Sequence, residues 1–109
     1  MISTPDDFAR LGLYVLDGHT PVPARSILEW ANFFENTDNR RVADTTIGSI
    51  RVSTIFLGAD HGCIGQGPPL LYETMVFGPE DDEPDVRRYS TWDEAVIGHE
   101  QMVERLEAR

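Results

Sequence analysis

The stretch "RVADTTIGSIRVSTIFLG", residues 41–58, reads as two extended segments around one turn. β-Branched residues dominate it, and their stiff χ1 angles suit a pleated strand, while Gly48 interrupts the run where the chain must reverse. The spacing predicts paired antiparallel strands over 42–46 and 50–57. In the second, Ile50, Val52, Thr54 and Phe56 share one face, and Arg51, Ser53, Ile55 and Leu57 share the other, because successive strand side chains point to opposite sides. The second face turns from polar to apolar along its length and is expected to become covered towards Leu57.

Further along, "LLYETMVFG" (70–78) alternates Leu71, Glu73, Met75 and Phe77 with Tyr72, Thr74 and Val76, the pattern of a third strand in which Glu73 is the discordant member. The following "PEDDEPD" holds five carboxylates and two prolines in seven residues, so an acidic solvated loop is expected over 79–87. Helical order returns in "RRYSTWDEAVIGHEQMVERLEAR". Ser90 is placed to cap with Asp93, or Thr91 with Glu94, and Trp92, Val96, His99, Val103 and Leu106 then follow one face. Gly98 lowers helix propensity by about 1 kcal/mol relative to alanine without being expected to break the segment.

On the N-terminal side, "PARSILEWANFFEN" sets Ile27, Trp30, Ala31 and Phe34 at helical spacing, with Pro23 in the first turn and a stop over 36–39. A short apolar run over 13–16 ends at the turn signal Asp17-Gly18 and reads as a strand. The predicted order is β-α-β-β-β-α: an α+β fold in which a small antiparallel sheet is packed by two helices, as one domain over 1–109.

Composition narrows the function classes. Nine arginines, with no lysine, face nineteen carboxylates, and the formal net charge of −10 repels a phosphate backbone, so direct nucleic-acid binding is not expected. No apolar run is long enough to cross a bilayer, and "MISTPDDFAR" lacks the basic and apolar regions of a secretion signal, which points to the cytoplasm. A single cysteine, Cys63, gives no internal disulfide and no cysteine-rich metal knot.

Candidate chemistry gathers around "GADHGCIGQGPP" (58–69). Asp60 and His61 open this glycine-rich connection, Glu73 lies on the next strand and His99 on the last helix. Were the four to converge, two imidazoles and two carboxylates would supply lone pairs for a divalent metal or for proton transfer, although no compact ligand spacing supports such a site. The structural alternative has Asp60 accepting backbone N–H bonds, His61 bracing the loop, His99 making a polar contact at the edge of the helical core, and Glu73 receiving hydrogen bonds from Arg51 or a loop amide. Ser53 lacks a G-x-S-x-G elbow, and "GCIGQG" has neither the P-loop nor the dinucleotide-binding order. No pattern implies a cofactor.

Four segments carry a resemblance. "VSTIFLGADH" (52–61), "PPLLYETMVF" (68–77), and "RYST" (88–91) followed by "GHE" (98–100) resemble the pattern V-S-T-x-F-L-G-x-D-H, P-P-L-L-F-E-T-M-V-F, R-Y-S-T and G-H-E of small uncharacterised proteins encoded by tailed bacteriophages and prophages. Tyr72 stands where phenylalanine is commoner, which keeps the aromatic ring. The resemblance covers about the last two-thirds of the chain, with "RRVADTT" (40–46) and the tryptophan-containing segment before it a looser match, and implies a phage-derived protein with a host-directed or replication-associated role. It carries no enzymatic activity. The expectation is a non-catalytic interaction module, an inhibitor or regulator of a host or phage protein, one version being a nucleic-acid mimic; the competing expectation is a small metal-dependent enzyme or metal-binding protein using Asp60, His61, Glu73 and His99.

Overall fold

The computed structural model describes residues 12–60, 62, 67–78 and 86–108. Its centre is the predicted hairpin: β3 (Arg41–Ile47) and β4 (Ile50–Phe56) run antiparallel, Ile47 pairs with Ile50, and Gly48 holds a φ of 58°, a left-handed conformation that glycine adopts without a Cβ penalty. β5 (Tyr72–Phe77) lies beside β4 with Thr54 opposite Thr74 and Val52 opposite Val76. β6 (Val86–Tyr89) closes the far side, giving a four-stranded antiparallel sheet of order β3-β4-β5-β6. This fourth strand corrects the expected loop over 79–87. The carboxylate run ends at Asp85, and "VRRY" then gives its backbone groups to the otherwise open edge of β5. Residues 79–85 lie outside the described residues.

The N-terminal arm is a hairpin of its own. β1 (Tyr14–Asp17) pairs with β2 (Thr20–Pro23), with Gly18 at φ 62° in the turn. Pro23 therefore ends a strand and does not start the helix; a strand in a two-stranded sheet has one edge free, where a missing N–H costs no ladder bond. Helix α1 (Ile27–Glu35) begins instead after Ser26, whose hydroxyl accepts the Glu29 N–H at 3.0 Å. Its inward residues are Trp30 and Phe33, while Ile27 is 55 % exposed. A single further turn, α2 (Thr37–Arg40), is capped by the Asn36 side chain and lays the Arg40 guanidinium 4.0 Å from the Phe34 ring centroid.

Helix α3 (Trp92–Glu107) packs on all four strands of the larger sheet. Of the two expected caps, Thr91 is used: its hydroxyl accepts the Glu94 N–H while the Glu94 carboxylate receives the Thr91 N–H, a reciprocal capping box. The buried stripe is Ala95, His99, Met102 and Leu106, with Trp92 and Val103 at its flanks. The helix is thus rotated slightly from the expected Trp92–Val96–His99–Val103–Leu106 line, since the alanine lets the backbone approach Phe56 and Tyr72 more closely than valine would.

Gly98 has a packing reason. A Cβ there would overlap the Tyr89 hydroxyl and ring, so Tyr89 lies across the helix only because position 98 has no side chain. Gly98→Ala gains about 1 kcal/mol of helix propensity but incurs an overpacking cost of about 1–3 kcal/mol. A net loss of about 1 kcal/mol is expected in urea unfolding, in contrast to the gain predicted for an unobstructed helix position.

Candidate functional site

Strand alternation divides the larger sheet into two faces of different character. On one, Val52, Thr54, Phe56, Tyr72, Thr74 and Val76 are all buried beneath the helical layer. On the other, Asp44, Thr46, Arg51, Ser53, Ile55, Glu73, Met75, Phe77, Val86 and Arg88 are half-buried or exposed, and none is buried. Ile55 does become half-covered along the strand, as the sequence suggests.

The buried face contains a polar cluster around His99. Its Nδ1 lies 2.7 Å from Thr54 Oγ1 and its Nε2 lies 2.9 Å from Thr45 Oγ1; Thr54 Oγ1 in turn lies 2.5 Å from Thr74 Oγ1. Each ring nitrogen thus has a hydroxyl partner, and Thr54 and Thr74 are both fully buried. A neutral imidazole donates through one nitrogen and accepts through the other, which a hydroxyl at either side can match. Burial pushes the His99 pKa below its ordinary value, partly opposed by the Asp44 and Glu100 carboxylates. A shallow cleft of about 250 Å³ beside Thr45, His99, Glu100, Val103 and Glu104 brings solvent close to the outer end of this cluster. The inner partner of the imidazole is a hydroxyl where a hydrolase triad has a carboxylate, so the cluster lacks the group that stabilises imidazolium during catalysis.

Of the other sequence candidates, Asp60 and Glu73 are described, and they lie apart from the His99 cluster. Asp60 Oδ1 accepts the Gly62 and Leu70 N–H groups, each at 2.8 Å, tying the start of the glycine-rich connection to its exit. Its backbone N–H also reaches the Gly12 carbonyl at 2.8 Å, joining this connection to the N-terminal arm. Glu73 projects from the open face, opposite to the side on which His99 packs, and pairs with Arg88 at 3.1 Å. The expected Arg51–Glu73 contact is replaced because Arg51 stands in register with Phe77, whereas Arg88 stands directly opposite Glu73; Arg51 binds Asp44 instead, at 2.6 Å. Glu73 and His99 therefore do not share a site, and among the described residues no group of three histidine, cysteine or carboxylate side chains is arranged to hold a metal ion. His61 and Cys63 lie outside the described residues.

Asp60→Ala removes the acceptor for two backbone donors and is expected to cost about 0.5–2 kcal/mol, by analogy with a lost capping residue. Faster amide exchange at Gly62 and Leu70, with the β4–β5 ladder unchanged, is the expected signature.

Two features were not evident from sequence. The His19 ring stacks on Trp92 at 3.7 Å between centroids and 5° between planes, clasping the β1–β2 turn to the start of α3. Tyr72 lies edge-on to the same indole, and burial, with a smaller contribution from Asp93, pushes its hydroxyl pKa up to about 12. The second feature is the open face itself, where Ile55, Met75 and Val86 run between two arginine–carboxylate pairs and Phe77 is 46 % exposed. Alternation in 50–57 and 70–78 was the available signal: it makes the outward set Ile55, Met75 and Phe77 too apolar for a simple solvated face.

No family profile, curated protein or solved structure matches this chain.

Proposed function

We propose that this chain is a non-catalytic protein-interaction module of phage type, acting on a host or phage protein, with the outer face of the four-stranded sheet as its docking surface. The observation that carries the reading is the uneven burial of the two faces. An antiparallel sheet with one solvated side ordinarily alternates apolar-in with polar-out. Here the outward positions of β4, β5 and β6 carry Ile55, Met75, Phe77 and Val86, with Met75 paired directly to Val86 and Ile55 diagonal to Met75, an apolar group of the kind that marks an interaction site. The polar groups that would serve chemistry point elsewhere: His99 is engaged by hydroxyls, and Asp60 by backbone N–H groups.

The test is quantitative capture from bacterial extract with wild-type protein and a Met75→Asp/Phe77→Asp variant, whose fold is checked by far-UV circular dichroism. A saturable partner at micromolar concentration that is lost at least tenfold in the variant is the expected result. Equal capture by both proteins would remove the docking surface from the reading, and no saturable partner would remove the reading.

A further inference from the structure

Building on that docking surface, we infer that the partner presents an acidic amphipathic helix to it. The first argument is which charges reach solvent. The Arg51 and Arg88 side chains are 53 % and 44 % exposed, whereas the carboxylates they bind, Asp44 and Glu73, are 25 % and 12 % exposed. On a chain of net charge −10, this face therefore offers guanidinium groups outward with their counter-charges tucked against the sheet. Each arginine is also oriented by its pair: Arg51 gives Nε and Nη2 to Asp44, and Arg88 gives Nε to Glu73. A guanidinium carries five N–H donors, so one such pair does not exhaust it, and a second carboxylate can be received in the bidentate geometry that suits arginine.

The second argument is spacing. Arg51 lies on β4 opposite Phe77, and Arg88 lies on β6 opposite Glu73, so the two are two strands apart and four residues apart along the strand direction. With strands about 4.8 Å apart and about 3.3 Å per residue, the diagonal between their backbone positions is about 16 Å. A helix rises about 16 Å over eleven residues and returns to nearly the same face after three turns. Two acidic residues eleven apart on a helix thus meet Arg51 and Arg88 while the turns between them cover Met75 and its neighbours. The opposite side of the same four strands already accommodates one helix, α3, of sixteen residues, which shows the length that the sheet can carry.

The third argument is area. Four strands of four to seven residues present about 380 Å² by the same spacings. This is half of the roughly 800 Å² per partner typical of a stable globular interface, so a face-to-face pair of copies, each at −10, is disfavoured. One helix fits the available width.

The probe is an eighteen-residue helical peptide with leucines at i, i+3, i+4 and i+7 spacing and glutamates eleven apart, compared with the same peptide carrying lysines in place of glutamate. Both are titrated into the isotope-labelled full chain at low salt. The acidic peptide is expected to shift the Ser53, Ile55, Met75 and Val86 amides and to bind at least tenfold more tightly than the basic one. Raising salt should weaken it, and Arg51→Gln/Arg88→Gln, confirmed as folded, should weaken it at least fivefold. Equal or tighter binding of the basic peptide would overturn the acidic partner while leaving the docking face in place. Failure of both peptides to move the face amides at about 1 mM would overturn the helix proposal. The extract capture with the Met75→Asp/Phe77→Asp variant reports separately on whether the face binds any protein.

Discussion

Phe56→Ala is expected to lose about 3–5 kcal/mol of stability, a large part of the 5–15 kcal/mol typical of a small domain. Phe56 is fully buried at the point where three elements meet: the Phe33 ring of α1 stands edge-on to it at 5.9 Å, Tyr72 of β5 lies 5.3 Å away, and Ala95 of α3 packs into the same cluster. Truncation removes the apolar area and leaves a cavity walled by two helices and a neighbouring strand that cannot all collapse inward together. Phe77→Ala, on the same sheet but the exposed face, is expected to change stability by about 0.5 kcal/mol or less. Urea unfolding of the two variants checks this directly. Equal losses would show that the two faces are not differentiated as described.

His99→Ala is expected to cost about 2–4 kcal/mol, since it removes a buried ring and leaves the Thr45 and Thr54 hydroxyls each short of a partner. The effect has a pH signature. Burial holds the folded-state pKa of His99 below its ordinary value, so the unfolded chain binds the proton more readily. The contribution of neutral His99 is therefore fully present above the ordinary histidine pKa of about 6.5 and is lost as pH falls through the folded-state value. The Asp44 pKa is lowered, chiefly by its hydrogen bond to Arg51, and that contribution is lost in a separate window, below the ordinary carboxylate range. Stability measured from pH 8 to 5 should decline for wild-type protein and flatten in His99→Gln, which keeps a hydrogen-bonding side chain without the titration. An unchanged slope in the variant would remove His99 as its source.

The legible parts of the fold were those written in local periodicity. The hairpin around Gly48 and the strand over 72–77 follow from alternation, and α3 follows from its threonine cap and apolar spacing. What escaped was β6, because four residues with two adjacent arginines carry too little periodicity to stand apart from the acidic run before them. Its strand character comes from the partner edge of β5. Likewise Pro23 has the local credentials of a first helical turn, and only pairing with Tyr14 makes it the end of a strand.

The candidate site divides in the same way. Asp60 as a loop acceptor was readable from its position before a glycine-rich connection, since a short carboxylate reaches nearby N–H groups whatever the rest of the chain does. His99 was readable only as a polar residue on an apolar helix face. Its hydroxyl partners come from β3 and β4, 54 and 45 residues away, and no local rule chooses them. By itself, then, the sequence determined β1, β3, β4 and β5, the apolar stripe of α3, the turn glycines and the charge, all properties of neighbours within a few residues. Tertiary structure decided which carboxylate each arginine holds, which sheet face is buried, and that Glu73 and His99 look away from each other. Those outcomes depend on strand register and on the side from which α3 docks, where a one-residue slip would turn every side chain to the opposite face.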